Sequence, residues 1–322
     1  MKNISIIGVG QLGSRYLQGL AQVNHPLTIF LVDPSKTALN LAVDRFNSIE
    51  HKKSIKLILL QSLEELPDII DIAIISTTAD IRLKVILELA KKKIILNWIL
   101  EKVLFQNIDD YEFAENFFDS QNSQQWVNCS QRLWPFFIEL KDRFSKDHNL
   151  QITATGSYWG LGCNAVHNTD IAEFIWGPEL SHIASLDKMV LNSKREGFFE
   201  FTGLFESHSK AGGVMRQISY AQGKAPFMFT ITHPTTHMIW NVTTGKLLES
   251  SEITHWQWTE REMIAPFQSQ ITTQVINAIL NEKDCGLPSF KASSSLHRNT
   301  LKALLDSAKI NGSDFGNSCP VT

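Results

Sequence analysis

The chain has 322 residues, 43% apolar and 20% charged, so it is expected to hold two compact units or one large α/β unit, and a disordered or low-complexity chain is excluded. Its 30 basic and 33 acidic residues give a net charge of −3 without any block of five or six like charges, and neither nucleic acid nor a membrane surface is expected as a partner. The start, MKNISIIGVG, lacks a long apolar core and a cleavage site, and no apolar run approaches the roughly 20 residues of a membrane span. Cys129, Cys163, Cys285 and Cys319 form no C-x-x-C pair, which fits a reduced, cytoplasmic chain.

From residue 3 to about 130, apolar β-rich runs (ISIIG, LTIFLVD, IKLILL, DIAIIS, KIILNWIL and WVNCS) alternate with helical patterns at 12–23, 35–48, 80–92 and 108–121. Continuous apolar strands between helices predict an open, doubly wound parallel sheet covered on both faces. Beyond 130, helical stretches at Pro135 to Phe144 and Val166 to Trp176 flank QITATGSYWG. Runs rich in Thr, Phe, Ile and Val follow, including the hairpin-like TTHMIWNVTTGKLLES. The second half is therefore expected to be α+β, with a largely antiparallel open sheet and helices on one face. A helical pattern at 260–281, the break CGLPSF and a last helix at 294–309 close the chain. The expected domains are 1–127, 128–290, and a C-terminal helix and tail, 291–322, packing back on the first.

Gly8-Val-Gly10-Gln11-Leu12-Gly13 follows a strand and opens a helix. A tight turn, close approach to a pyrophosphate and close helix–strand packing each need a residue without Cβ, and a helix N-terminus supplies amide donors. Asp33 closes the second strand 20 residues after Gly13, where a carboxylate accepts from ribose hydroxyls. This is the pattern of a Rossmann dinucleotide site. NAD is favoured over NADP because Asp33 repels a 2′-phosphate, though Ser35 and Lys36 partly offset it, and NADP is not excluded. Ser76 and Thr77, ending the fourth strand, and Glu101 and Lys102, after the fifth, are assigned to the same cofactor edge. There an ammonium can stabilise developing alkoxide charge. A solvated Lys is the alternative.

The order of residues resembles the glucose-fructose oxidoreductase, inositol dehydrogenase and MocA-like (Gfo/Idh/MocA) family over nearly the whole chain. The likeness rests on GVGQLG, EKVL where the family carries E-K-P, NCSQRLWP, GCNAVHNTD where it carries D-x-x-x-H-x-x-D, and GLPSF. It implies that Lys102 and His167 are catalytic, that Asp170 orients His167 or binds substrate, that Arg132 supports the site or contacts the substrate, and that Asn164 serves the substrate, a sugar, cyclitol or sugar-derived molecule; a histidine packed in an interface is the alternative for His167. It also implies a homodimer or homotetramer formed through the C-terminal sheet, whose apolar strands need a second cover. The chain departs from the pattern at Cys163, Val103 and Arg82, so a non-catalytic NAD-binding regulator, or a lyase or glycosidase using transient oxidation, stays open.

Three other groups are read as structural. No metal site is expected: His233 and His237 are separated by Pro234 and two β-branched residues, the pattern of a strand. Trp256 and Trp258 are expected on one strand face, in the core or an interface. Lys91 to Lys93 complement a helix C-terminus.

Overall fold

The computed structural model describes residues 1–52, 54–145 and 147–322. Its first elements are β1 (Lys2–Ile7), α1 (Gln11–Leu20), β2 (Leu27–Val32), α2 (Lys36–Asn47), β3 (Ile55–Leu60), β4 (Ile69–Ile70) and β5 (Ile72–Ile75). Next come α3 (Ala79–Lys92), β6 (Ile94–Ile95), β7 (Asn97–Leu100), α4 (Asp109–Asp119), β8 (Gln124–Val127), α5 (Pro135–Phe144), β9 (Gln151–Ser157) and α6 (Leu161–Trp176). The strands β10 (Leu180–Leu186), β11 (Leu191–Asn192), β12 (Phe199–Glu200), β13 (Gly203–Ser209), β14 (Val214–Tyr220) and β15 (Met228–His233) follow. Then come β16 (Thr236–Asn241), β17 (Lys246–Ser251), β18 (Thr259–Glu262), α7 (Gln268–Leu280) and α8 (Phe290–Ile310).

The first unit comprises residues 1–105, 109–130 and 266–294. Its six-stranded sheet has the order β3-β2-β1-β5-β7-β8, with every neighbouring pair parallel. β2, LTIFLV, is buried at every position, which a parallel strand covered on both faces requires. The strand order reverses between β1 and β5, the switch point where open sheets of this kind bind ligands.

The second unit, 106–108, 131–265 and 295–322, carries an eight-stranded sheet ordered β10-β13-β14-β9-β15-β16-β17-β18, parallel only between β14 and β9. Along β9, Ile152, Ala154 and Gly156 are buried while Gln151, Thr153, Thr155 and Ser157 stay partly open, the alternation of a half-covered sheet. On the covered face, α5 and α6 meet Met215, Phe229, Ile231, Met238, Trp240 and Leu247. The Phe136 and Trp240 rings lie 4.5 Å apart, and Trp240 Nε1 donates to the Met263 carbonyl at 2.8 Å.

Several expected boundaries move. KIILNWIL splits, because β6 pairs with the short β4 and only β7 joins the main sheet. The helical pattern at 260–281 starts later: 259–262 is a strand, and Pro266 disfavours helical backbone before it. α6 begins at Leu161 rather than Val166, because Gly160 turns the chain at φ +82 and Glu200 accepts from the Gly162 amide at 2.8 Å. α8 is longer at both ends than 294–309. Trp256 and Trp258 are not on a strand face: Trp256 has φ +61, and the two are 45% and 51% exposed. His233 and His237 fall on either side of the hairpin turn joining β15 and β16, with His233 Nε2 3.0 Å from Asp147 Oδ2.

The division of the chain also differs from that expected. Residues 266–294 belong with the first unit because α7 packs on α1, so closely that a Cβ at Gly19 would lie 2.5 Å from Thr272 Cβ. The tail belongs with the second, where the Cys319 amide donates to Gln106 O and the Ile108 amide to Asn317 O, each at 2.9 Å.

Trp240→Ala removes the centre of the second core and is expected to cost about 3–5 kcal/mol, whereas Trp258→Ala should stay within about 0.5 kcal/mol. Urea unfolding of the two variants checks the contrast.

Candidate functional site

The three glycines between β1 and α1 have separate tasks. Gly8 has φ +87, and a Cβ there would lie 2.9 Å from the Thr77 amide nitrogen. At Gly13 a Cβ would come 2.2 Å from the Gly8 carbonyl oxygen, so α1 can rest on the strand end only without a side chain. At Gly10 a Cβ would meet nothing within 4 Å. The protein's own packing thus needs glycine at 8 and 13, while at 10 its absence of side chain leaves open space beside the first amides of α1. A phosphate-binding turn has this distribution. Gln11 and Leu12 form the start of α1.

Asp33 stands beside the turn. Its Oδ2 accepts from the Val9 amide and its Oδ1 from the Ser35 amide, both at 2.8 Å, which fixes the carboxylate and leaves each oxygen a further lone pair. Ser76 Oγ donates to the Gly8 carbonyl at 2.7 Å. Arg82, on α3 and 2% exposed, donates to the carbonyls of Thr77, Val103 and Leu104. It therefore joins the loop after β5 to the loop after β7. Burial pulls its guanidinium down to about 10, with Glu101 opposing the shift.

Glu101 is buried beside these loops. Its Oε1 accepts from the Tyr16 hydroxyl and, at 2.6 Å, from Asn128 Nδ2, while Oε2 accepts no hydrogen bond among the described residues. Burial raises both the Glu101 carboxyl and the Tyr16 hydroxyl above their ordinary values. Lys102 follows, half-buried, and the Lys102–Val103 peptide is cis. All the residues expected at the cofactor thus share the carboxyl edge of one sheet. No spacing marks Tyr16 or Asn128, whose roles come from the sheet bringing them to Glu101.

In the second unit, His167, Asp170 and Asn164 all lie on α6. Arg132 Nε donates to Asp170 Oδ2 at 2.7 Å and its NH2 to Oδ1 at 2.6 Å. This bidentate pair is buried on the Asp170 side, so two residues expected to meet substrate are engaged with each other. Burial pushes the Asp170 carboxyl up to about 6, with Arg132 pulling the other way. Glu173 is pushed up to about 7, by burial and then by the Asp170 charge. His167 is nearly buried, one turn before Asp170.

Asn164 lines two cavities in this unit. One, ≈ 220 Å³, is walled by Trp134, Trp159 and Phe227 with the amides of Gln131, Asn164 and Asn168. The other, ≈ 370 Å³, has Tyr158, Trp159, Asn164, Asn192, Glu200 and Thr202 among its lining residues. His167, Arg132 and Asp170 line neither. The aromatic and amide walls went unnoticed in the sequence because they come from α6, the segment just before α5 and stretches far apart along the chain.

No protein-family profile matches the chain, and no curated protein sequence matches it significantly. Solved structures do resemble it. An oxidoreductase from Agrobacterium radiobacter, in complex with NAD+, L-tartaric acid and magnesium, is 13% identical, with 96% of each chain covered and a TM-score of 0.69. The UDP-N-acetylglucosamine 3-dehydrogenase GnnA from Acidithiobacillus ferrooxidans is 13% identical over 96% of this chain and 97% of its own, with a TM-score of 0.65. The transcriptional regulator Gal80p from Kluyveromyces lactis is 14% identical over 96% and 92%, with a TM-score of 0.68. At such identities the likeness establishes the two-part fold.

Two outcomes follow from the geometry. Gly13→Ala forces backbone apart and should cost about 1–3 kcal/mol, while Gly10→Ala leaves the thermal midpoint near that of the parent; calorimetry of both checks this. Glu173, whose folded pKa lies above its unfolded one, stabilises the fold as the neutral acid, and this contribution is lost as pH rises through about 7. Melting curves from about pH 5 to pH 8 should therefore show a smaller loss of midpoint in Glu173→Gln than in the parent.

Proposed function

We propose that the chain is an NAD-dependent oxidoreductase of the Gfo/Idh/MocA type that moves hydride to or from a hydroxyl or carbonyl carbon of a sugar, cyclitol or sugar-derived molecule. The observation that carries this reading is the open space at Gly10, flanked by glycines that packing alone demands and by an oriented Asp33 carboxylate. NAD, when bound, takes up or returns the hydride. The amides at the start of α1 hold its pyrophosphate and Asp33 its ribose hydroxyls, and the Asp33 charge disfavours the 2′-phosphate of NADP. Ser76, Thr77 and Glu101 shape the same edge.

Lys102 donates to the reacting oxygen and stabilises its developing negative charge, and His167 takes or gives the hydroxyl proton. The Arg132–Asp170 pair fixes α6 and with it the His167 ring. The small cavity supports the substrate class: three aromatic faces among three amides suit the apolar ring faces and hydroxyl edges of a polyol. The reading includes a homodimer or homotetramer in the cytoplasm, assembled through the uncovered sheet face. Neighbours of the same fold include dehydrogenases and a regulator, so kinetics must discriminate between the two roles.

Lys102→Ala and His167→Ala should each lower kcat on the order of 10²-fold or more with NADH affinity nearly intact. Gly10→Val should instead abolish NADH binding in a fluorescence titration. Parental turnover in Lys102→Ala would remove the catalytic assignment and favour the regulator.

A further inference from the structure

β10 ends the eight-stranded sheet, so only one of its edges is paired, with β13. That pairing fixes which backbone groups face the other way. The Leu186 N–H donates to Ser307 Oγ at 3.0 Å and its carbonyl accepts from Asn311 Nδ2 at 2.6 Å, so both point away from β13. Asp187, one residue on, donates to the Thr202 carbonyl at 2.9 Å, on the β13 side. Backbone direction alternates along an antiparallel strand, and Leu180, His182 and Ala184 therefore also turn their N–H and carbonyl groups outward. No hydrogen bond reaches those outward groups among the described residues. They border a cavity of ≈ 340 Å³ that β10 lines from Leu180 to Ala184 and α8 from Asn299 to Ile310. These stretches span about 13 Å of strand and about 16 Å of helix, so strand edge and helix run alongside one another with a gap between them. Such a gap is where an extended peptide adds a strand, taking affinity from main-chain bonds and specificity from alternate side chains.

The walls set the form of the occupant. Ser307 and Asn311 already close the edge at Leu186, and α8 stands where the next strand of a second sheet would lie. The gap therefore admits one strand of about five residues, opposite Leu180 to Ala184, and not the sheet edge of a second copy. Charge sets its side chains. The His182 ring stacks on Phe205 at 5.6 Å and lies 3.1 Å from Ser207 Oγ, and burial pulls it down to about 4, so it is uncharged at neutral pH. Lys302 and Asp306 are then the charged groups of the lining, both exposed and in no ion pair among the described residues. They stand one turn apart on α8, about 6 Å along its axis, and two residues of strand cover about 6.6 Å. An acidic and a basic side chain two residues apart on the added strand match them. The residue between points to the face that carries Ile183, which is 58% exposed, and an apolar side chain fits there.

We infer that the groove between β10 and α8 binds one extended segment of a partner polypeptide, added to the sheet beside β10, in which an acidic and a basic residue flank an apolar one. This surface is independent of the proposed oxidoreductase chemistry.

Titration calorimetry of the full chain against three capped heptapeptides tests it without substrate or turnover: acetyl-TVEVKVT-amide, acetyl-TVKVEVT-amide and the neutral acetyl-TVQVQVT-amide. One charged peptide should bind at least ten-fold more tightly than the other, and than the neutral one, because strand direction decides which order of charges meets Lys302 and Asp306. Exchanging the protein's own charges, Lys302→Asp together with Asp306→Lys, should reverse the ranking of the charged pair. Ala184→Pro removes an outward N–H that the fold does not use, a change an edge strand tolerates. It should abolish binding while the circular dichroism stays that of the parent; should that variant not fold, the charge exchange decides alone. Equal affinity for the three peptides, an unchanged ranking after the exchange, full binding in a folded Ala184→Pro, or no binding at about 1 mM peptide would overturn the inference. So would a parent oligomer that Ala184→Pro converts to monomers in light scattering, because a second copy would then hold the edge.

Discussion

A guanidinium that cannot reach water must find acceptors within the protein, and at the carboxyl edge of the first sheet it takes them from the backbone. Arg82 donates to carbonyls in the loop after β5 and in the turn after β7, two segments more than twenty residues apart in sequence. Burying such an ion costs several kcal/mol unless its donors are satisfied. The carbonyls of these loops take the Nη1 and Nη2 hydrogens of Arg82, its Nε has no partner among the described residues, and the Glu101 charge offsets part of the cost of burial. The same loops meet the glycine turn, since Ser76 donates to Gly8 and Thr77 leaves no room for a Cβ there. The glycine turn and the loops after β5 and β7 are thus tied together by hydrogen bonds, and Glu101 bonds Tyr16 and Asn128 beside them.

The second unit solves a similar problem with an ion pair. α6 is buried along most of its length and carries a carboxylate at Asp170 that burial disfavours in its charged form. The bidentate Arg132 supplies both a compensating charge and two directed bonds. Thr169 and Gln217 add bonds to the Ala165 carbonyl, at 2.9 and 3.3 Å. These contacts hold the helix, and His167 with it, in one rotation. The polar side chains of α6 therefore divide by task, with Asp170 and Thr169 holding the helix and Asn164 and Asn168 lining cavities.

The fold was legible because its signals are local. Continuous apolar runs between amphipathic stretches specify a parallel sheet, and a glycine turn after the first strand specifies which edge is used. The edge these residues share was legible for the same reason: Gly8 to Gly13, Asp33, Ser76 and Glu101 each end or follow a strand. What the sequence hid was every pairing across distance. That Arg132 and Asp170 bond each other is set by how α6 lies against the segment before α5, and no spacing in the sequence encodes it. The late start of α7 was readable from Pro266 and was overridden by an apolar periodicity that runs through β18. The placement of Trp256 in a turn had no such cue, since an aromatic at φ +61 contradicts its own preference and is held there by the neighbouring chain.

The substitution of Cys163 for an expected aspartate becomes intelligible at the same level. Glu200, on β12, turns its carboxylate to the first turn of α6, with Oε2 on the Gly162 amide at 2.8 Å and Oε1 3.3 Å from the Cys163 amide. An anion there complements the first amides and the positive end of the helix. A second carboxylate at 163 would stand against the first, and two like charges at one site cannot both stay ionised without cost. A neutral residue at 163 and an acid at 200 are thus alternatives to an acid at 163 alone. In this chain the negative charge at the α6 terminus arrives from a strand rather than from the helix itself.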